Sequence, residues 1–281
     1  MTDDLASQIF ATWERMAPGW EKRRVSMWEV SQHIGRQLVD AVAPRPGETI
    51  LEIAAGPGET GFLASRLVEP GGKVISSDFS PAMVEVARRR GAELGVEGVE
   101  FRVLDAQALD LPDASVDAVV CRWGYMLMPD PPTALRETRR VLRPDGRLAF
   151  SVWGSPDRNP WAAIVARVLV DADHMDPLPA GRPGIFALAD PARIETLAVE
   201  AGFAVPGIVE VPMRWPFDSF DDYWAFTLDK AGGLAMVIER LSDDERDSVR
   251  ASVRRALGSK AEGSFELAGL CLNASTRASH V

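Results

Sequence analysis

Short, mostly apolar runs of strand type recur at 49–52, 73–77, 99–104, 116–122 and 147–153, and segments of helical period separate them. Turns such as Glu69-Pro70-Gly71-Gly72 and Arg143-Pro144-Asp145-Gly146 punctuate the alternation. The run 116–122 is apolar almost throughout, as a central parallel strand covered on both faces requires. Alternating strand and helix with short turns predicts right-handed crossovers and a doubly wound α/β sheet. Two later strands, 205–215 and 265–273, bring the count to seven and make the sheet mostly parallel. A helical stretch over 217–257 separates them, with a capping box at Ser242 and Glu245. Ahead of the first strand, residues 3–43 predict two helices broken at Pro18-Gly19, the second carrying Val25, Trp28, Ile34, Leu38 and Val42 on one apolar face.

The expected organisation is therefore a helical lid over 1–44, a core over 45–215 plus 261–276, and an inserted helical cap over 216–260. Residues 275–281 are expected to fray. A net charge of -10 and a pI near 4.9 argue against a nucleic-acid groove, which wants clustered Lys and Arg. A small-molecule substrate is the expected partner, and the oligomeric state is open, a homodimer included. Cys121 and Cys271 sit in apolar runs and read as buried free thiols, and no metal-ligand spacing occurs. No basic-then-apolar leader opens the chain and no apolar run approaches the ~20 residues of a membrane span, so the expected location is cytoplasmic.

The chemistry gathers at strand ends. The first strand runs into Ala54-Ala55-Gly56-Pro57-Gly58-Glu59-Thr60-Gly61, a glycine-punctuated turn into a helix. Glycines there let the backbone approach a ligand, and Gly56, Gly58 and Gly61 match the G-x-G-x-x-G spacing. The second strand stops on Asp78, twenty residues past Gly58, where an acid can accept both hydrogen bonds of a ribose diol. The third stops on Asp105, placed to take an adenine amine. In an open parallel sheet these ends share one edge, which makes a nucleoside site the economical reading.

Residues 50–153 resemble the class I S-adenosylmethionine-dependent methyltransferases, in particular the branch of the ubiquinone/menaquinone C-methyltransferases. L-E-I-A-A-G-P-G, S-D-F-S-P-A-M, L-D-A-Q-A-L-D-L-P-D-A-S-V-D-A-V and E-T-R-R-V-L-R-P-D-G-R-L carry the likeness, in order. It implies a Rossmann-like fold and S-adenosylmethionine as cofactor. Glu52, Gly56 and Gly58 would hold the methionine end, Asp78 the ribose, and Asp105 with Ala106 the adenine. Ala54, Phe79, Met83 and Arg122 complete the implied cofactor set. Ala54 departs from the glycine that many relatives carry.

The implied activity is methyl transfer to an O, N or C atom of a small, largely apolar or aromatic molecule. Histidines are few, and His33, His174 and Tyr125 are the base candidates, with His280 on the tail. Asp130-Pro131-Pro132 lacks the aromatic residue of an amine-methylating box and lies past the strand end. Strand-end and lid aromatics, Trp20, Trp28, Trp123, Met126, Trp153 and Trp224, are the expected substrate wall, with Phe220, Tyr223 and Met236 beside them. Two other readings stay open: an NAD(P)-dependent oxidoreductase, which the glycine spacing and Asp78 also suit, and a nucleoside-binding scaffold without chemistry.

Overall fold

A computed structural model describes residues 2–177, 179, 181–230 and 232–279, with side chains from residue 5 onward. Its sheet comprises β1 (Thr49–Glu52), β2 (Lys73–Asp78), β3 (Val99–Val103), β4 (Val116–Arg122), β5 (Leu142–Trp153), β6 (Gly207–Phe217) and β7 (Phe265–Arg277). The order is β3-β2-β1-β4-β5-β7-β6, with β1 to β5 parallel and β7 antiparallel to both neighbours. The seven-stranded, doubly wound expectation is met. Strand order reverses between β1 and β4, and the crevice outside that switch point is where ligands enter such sheets.

Alternate residues of the central strands feed two cores. Leu51, Ile75, Val119, Cys121 and Phe150 face one, closed by α4 (Pro131–Val141), α5 (Pro160–Asp171) and α6 (Pro191–Glu200). Ile50, Val74, Ala118, Val120 and Ala149 face the other, closed by α2 (Glu59–Ser65) and the end of α1 (Thr2–Val42). Period-two side-chain alternation in strands buried on both faces produces this division. Helix α3 (Pro81–Glu93) starts on Ser80, whose hydroxyl caps the Met83 N–H. Among the described residues, no helix is long and apolar enough to cross a membrane.

Two expectations change. The leading segment is one continuous helix, with Pro18 inside it, instead of two helices broken at Pro18-Gly19. Packing overrides the local breaker: α7 (Phe220–Lys230) lies against α1, and a Cβ on Gly19 would overlap the Asp229 carbonyl oxygen. Arg23 fixes the same contact through Asp222 and Asp229, both at 2.9 Å. Strand β7 runs on to Arg277, and Ala278 bridges to Phe203, so the expected fraying at 275–279 does not occur. Insertion between β5 and β6 gives residues 275–277 ladder partners, and the Ser279 N–H donates to Gly202 O. His280 and Val281 lie outside the described residues.

Between β6 and β7 the insertion is α7, α8 (Gly233–Arg240) and α9 (Asp243–Leu257). The capping box forms as expected: Ser242 Oγ accepts from the Glu245 N–H while the Glu245 carboxylate accepts from the Ser242 N–H.

The α1–α7 contact is directly testable. Gly19→Ala drives a methyl group into a backbone carbonyl and is expected to cost about 1–3 kcal/mol. Gly233→Ala, which meets open space, should cost far less. Urea denaturation of the two variants reads the difference, and equal midpoints would show that α7 yields freely at Gly19.

Candidate active site

A cavity of about 420 Å³ opens at the C-terminal ends of β1, β2 and β4. That lies within the roughly 300–1,000 Å³ usual for small-molecule sites. Its two halves differ in chemistry.

The first half is built from strand ends. Ala54, Gly56, Asp78, Phe79, Met83 and Asp105 line it, together with Ala106 and Arg122. Gly56 adopts φ +53° and a Cβ there would meet no atom within 4 Å, so the turn leaves room for a ligand against bare backbone. Asp78 Oδ2 accepts from the Gly56 N–H at 3.0 Å, and Oδ1 accepts from the Ser80 N–H at 3.1 Å. Burial pushes its carboxyl up to about 6, against the pull of those donors. Asp105 Oδ1 accepts from the Gln107 N–H at 2.8 Å and stays exposed at the rim.

Two expected cofactor residues do not line the cavity. Glu52 is 2 % exposed, with Oε1 accepting from the Gly61 N–H at 2.9 Å and Oε2 from Ser76 Oγ at 2.9 Å. It fastens the turn from beneath, and burial pushes its carboxyl up to about 8. Gly58 is packed too: a Cβ there would fall 2.6 Å from the Phe62 ring, so bulk at Gly58 disturbs α2 before it reaches a ligand.

The second half is aromatic. Trp123 and Trp153 stack at 4.5 Å, Trp161 follows Trp153 at 4.9 Å, Trp215 lies 5.4 Å from Trp161, and Phe226 lies 5.1 Å from Trp215. All five rings line the cavity, with Met126. Trp123 holds φ +65°, a costly conformation for a bulky residue, fixed by its N–H on Ser151 O and its indole on Cys271 Sγ. Arg122 sits 4.7 Å over the Trp123 ring, its Nε donating to Thr60 Oγ1 and Nη1 to Ser31 Oγ.

Helix α1 supplies Ala6, Ser7, Ile9, Phe10, Trp13, Trp20 and Met27 to the lining; Ala6, Trp13, Trp20 and Met27 form a stripe that Ile34 continues into the core. These positions recur every seven residues, two helical turns, and that spacing was the overlooked signal. Trp28 and His33 each fall one position off it. Trp28 accordingly lies outside the cavity, with the Arg122 guanidinium 5.7 Å over its ring, and His33 Nε2 sits 3.2 Å from Pro212 O. On α7 the lining residues are Phe226 and Lys230, four apart, while Trp224 stacks on Phe220. Trp13, Phe226 and Lys230 escaped the sequence reading.

The remaining base candidates are elsewhere. Tyr125 is fully buried and its hydroxyl pairs with Thr138 Oγ1 at 2.7 Å, while burial raises its pKa well above the ordinary phenol value. His174 follows α5, off the cavity, and Tyr223 donates its hydroxyl hydrogen to Trp161 O at 2.8 Å. Met236 accepts from Thr12 Oγ1 away from the lining. Asp130 caps α4 through the Thr133 N–H. No group of His, Cys, Asp and Glu suited to a metal occurs among the described residues.

Residues 51–150 match the methyltransferase domain family. Nocamycin O-methyltransferase of Saccharothrix syringae is 31% identical over 247 residues, 84% of this chain and 86% of that protein. The chain belongs to the S-adenosylmethionine-dependent methyltransferases. The ubiquinone/menaquinone biosynthesis C-methyltransferase UbiE of Hahella chejuensis is 38% identical over 122 residues, about half of its own length (49%) and 43% of this chain. The YcgJ protein of Bacillus subtilis shares the fold, at a TM-score of 0.60 and 21% identity over 89% of this chain and all of that one. In this methyltransferase the family match covers the strand-end half of the cavity. Trp13, Trp20, Trp153, Trp161, Trp215 and Lys230 all fall outside it.

Glu52 and Asp78 each contribute to the pH dependence of stability in the ligand-free methyltransferase. Their folded values, about 8 and about 6, lie above the ordinary 4.5 and 3.8. Their contribution to stability is therefore complete below the ordinary values and is lost as pH rises through the folded ones. Glu52→Gln keeps an acceptor for Gly61 and a partner for Ser76 and removes the titration. Its urea midpoint should vary less than wild type between pH 4.5 and about 8. Parallel pH profiles would show that Glu52 does not titrate in the fold.

Proposed function

We propose that this methyltransferase moves a methyl group to a small, largely apolar or aromatic acceptor held in the tryptophan-lined half, with the cofactor in the strand-end half. The observation that carries this reading is the partition of one cavity into a polar cradle and an aromatic chamber. The cradle suits an adenosyl group: Asp78 for the ribose, Asp105 and Ala106 for the adenine, Phe79 and Met83 as apolar walls. Bare backbone at Gly56 offers room for the amino-acid tail. Glu52 and Gly58 act indirectly, by fixing the turn.

Bound S-adenosylmethionine supplies an electrophilic methyl group on a sulfonium. The protein's own task is positioning and exclusion of water, which together account for much of the rate in such displacements. Trp123, Trp153 and Met126 stand where the strands end and would set acceptor and methyl face to face. Rings remove apolar acceptor surface from water at about 25 cal/mol per Å². The likeness to an O-methyltransferase over most of its length favours oxygen as the accepting atom. A walled chamber suits a small molecule better than a nucleic acid. The buried free thiols Cys121 and Cys271 support a reducing, cytoplasmic setting.

Calorimetry tests the cofactor half. S-Adenosylmethionine and S-adenosylhomocysteine should bind, and Asp78→Ala should weaken both by roughly 1.5–3 kcal/mol. NAD binding more tightly than either would sink the reading. Trp153→Leu should leave that affinity in place and raise KM for an aromatic acceptor about tenfold, a loss of about 1.4 kcal/mol.

A further inference from the structure

Lys230 is the last residue of α7 and the one lysine of the four that is buried, at 7% exposure; Lys22, Lys73 and Lys260 are exposed or half-exposed. Among the described residues its Nζ has no hydrogen-bond partner, although it belongs to a residue lining the cavity. It lies over the Trp20 ring, 2.8 Å from the centroid. Buried polar atoms are nearly always paired, so an unpaired amine at a ligand cavity calls for a ligand.

We propose that Lys230 is the general base of this methyltransferase and that its acceptor is an acidic O–H, a phenol or an enol. This rests on the methyl-transfer reading above. The acceptor's O–H bond breaks with its electron pair left on oxygen, and the proton joins the Nζ lone pair. One neutral acid and one neutral amine thus become an oxyanion and an ammonium, and charge balances. The Trp20 face then stabilises the ammonium by cation–π attraction.

The surroundings favour a neutral amine before the acceptor enters. Removal from water disfavours its charge, and Arg122 on β4 and Arg23 on α1 repel it. Glu59 on α2 and Asp229 on α7 oppose this. Asp229, however, is taken up by Lys22 and Arg23, while Glu59 Oε1 lies 3.4 Å from Arg90 Nε, an ion contact without a hydrogen bond. The pKa of Lys230 accordingly falls well below the ordinary lysine value. Base strength selects the acceptor class. A neutral amine can deprotonate a phenol or enol, whereas an aliphatic alcohol holds its proton too firmly.

The test uses the full chain and 4-nitrophenol as probe, at a pH below the phenol's solution pKa. Wild type should bind it as phenolate, read by the visible absorption band, and release no net proton in calorimetry across buffers of different ionisation enthalpy. Lys230→Met should bind the neutral phenol without that band. Release of one proton per probe bound by wild type would mean a lysine already charged and overturns the proposal. So would an unchanged band in Lys230→Met, or no binding of the probe at millimolar concentration. In turnover with a phenolic acceptor, Lys230→Met and Lys230→Arg should both lose roughly 10²–10⁴-fold in kcat, the usual worth of a general base. A fully active Lys230→Arg would overturn it, since guanidinium cannot accept the proton. S-Adenosylhomocysteine binding is measured alongside. Its absence from wild type would remove the methyl-transfer reading, whereas its presence with no band would remove Lys230 alone.

Discussion

A buried carboxyl group holds the strand-end edge of this sheet together. Glu52 ends β1, and its two oxygens take hydrogens from α2 at Gly61 and from β2 at Ser76. Its carbonyl takes a third, from Ser77 Oγ at 2.7 Å. One residue therefore fixes a strand, its neighbour and the following helix relative to each other, and the turn over 53–58 has little freedom left. Asp78 repeats the device one strand over by accepting from Gly56 and Ser80. Burying two acids is costly unless donors meet them, and here backbone N–H groups and hydroxyls do so. Rigidity at the turn is what such a site needs, because a loose cradle would spend binding energy on ordering itself.

The aromatic half is held by different means. Its walls come from β4, β5 and β6, from α5, and from two helices outside the regular alternation, α1 and α7. Those two helices touch at Gly19 and are tied by Arg23 to Asp222 and Asp229. α1 also reaches the nucleoside edge, where Glu14 accepts from the Ala82 N–H at the start of α3. The same helix thus borders both halves. Ile34, Leu38 and Val42 near its end are almost wholly buried, and Met16 and Ala17 are buried in its first half, so it is anchored along its length.

Much of this was legible in the sequence, and the misses have physical causes. Strand-type runs bounded by Gly and Pro gave all seven strands, β4 with its observed limits, because buried parallel strands leave a continuous apolar signature. Gly56, Asp78 and Asp105 were legible because chain topology alone carries strand ends to one edge. Whether a side chain then faces ligand or scaffold depends on packing, which is why Glu52 and Gly58 were misplaced. Pro18-Gly19 read as a break because local propensity favours one; the contact with α7 outweighs it. The substrate wall suffered most. Trp28 and Trp224 were chosen for being aromatic near the right place, yet rotation about a helix axis by one residue, about 100°, turns a ring out of a cavity. From Trp13 onward the seven-residue stripe through Trp13, Trp20 and Met27 marks the facing side of α1.

That stripe also explains why a charged residue type ends up among indoles. Lys230 closes α7 one turn after Phe226, so any side chain there must enter the same space as Trp20 and Trp215. An apolar residue would fill that space at lower cost, since an unpaired buried amine forfeits its hydration. Arg122 poses the same question from β4, and it answers with two hydroxyl partners and the faces of Trp28 and Trp123. Lys230 has one aromatic face and no hydroxyl. Structural need accounts for the arginine and leaves the lysine unexplained, and an amine unexplained by the fold is best accounted for by what enters the cavity.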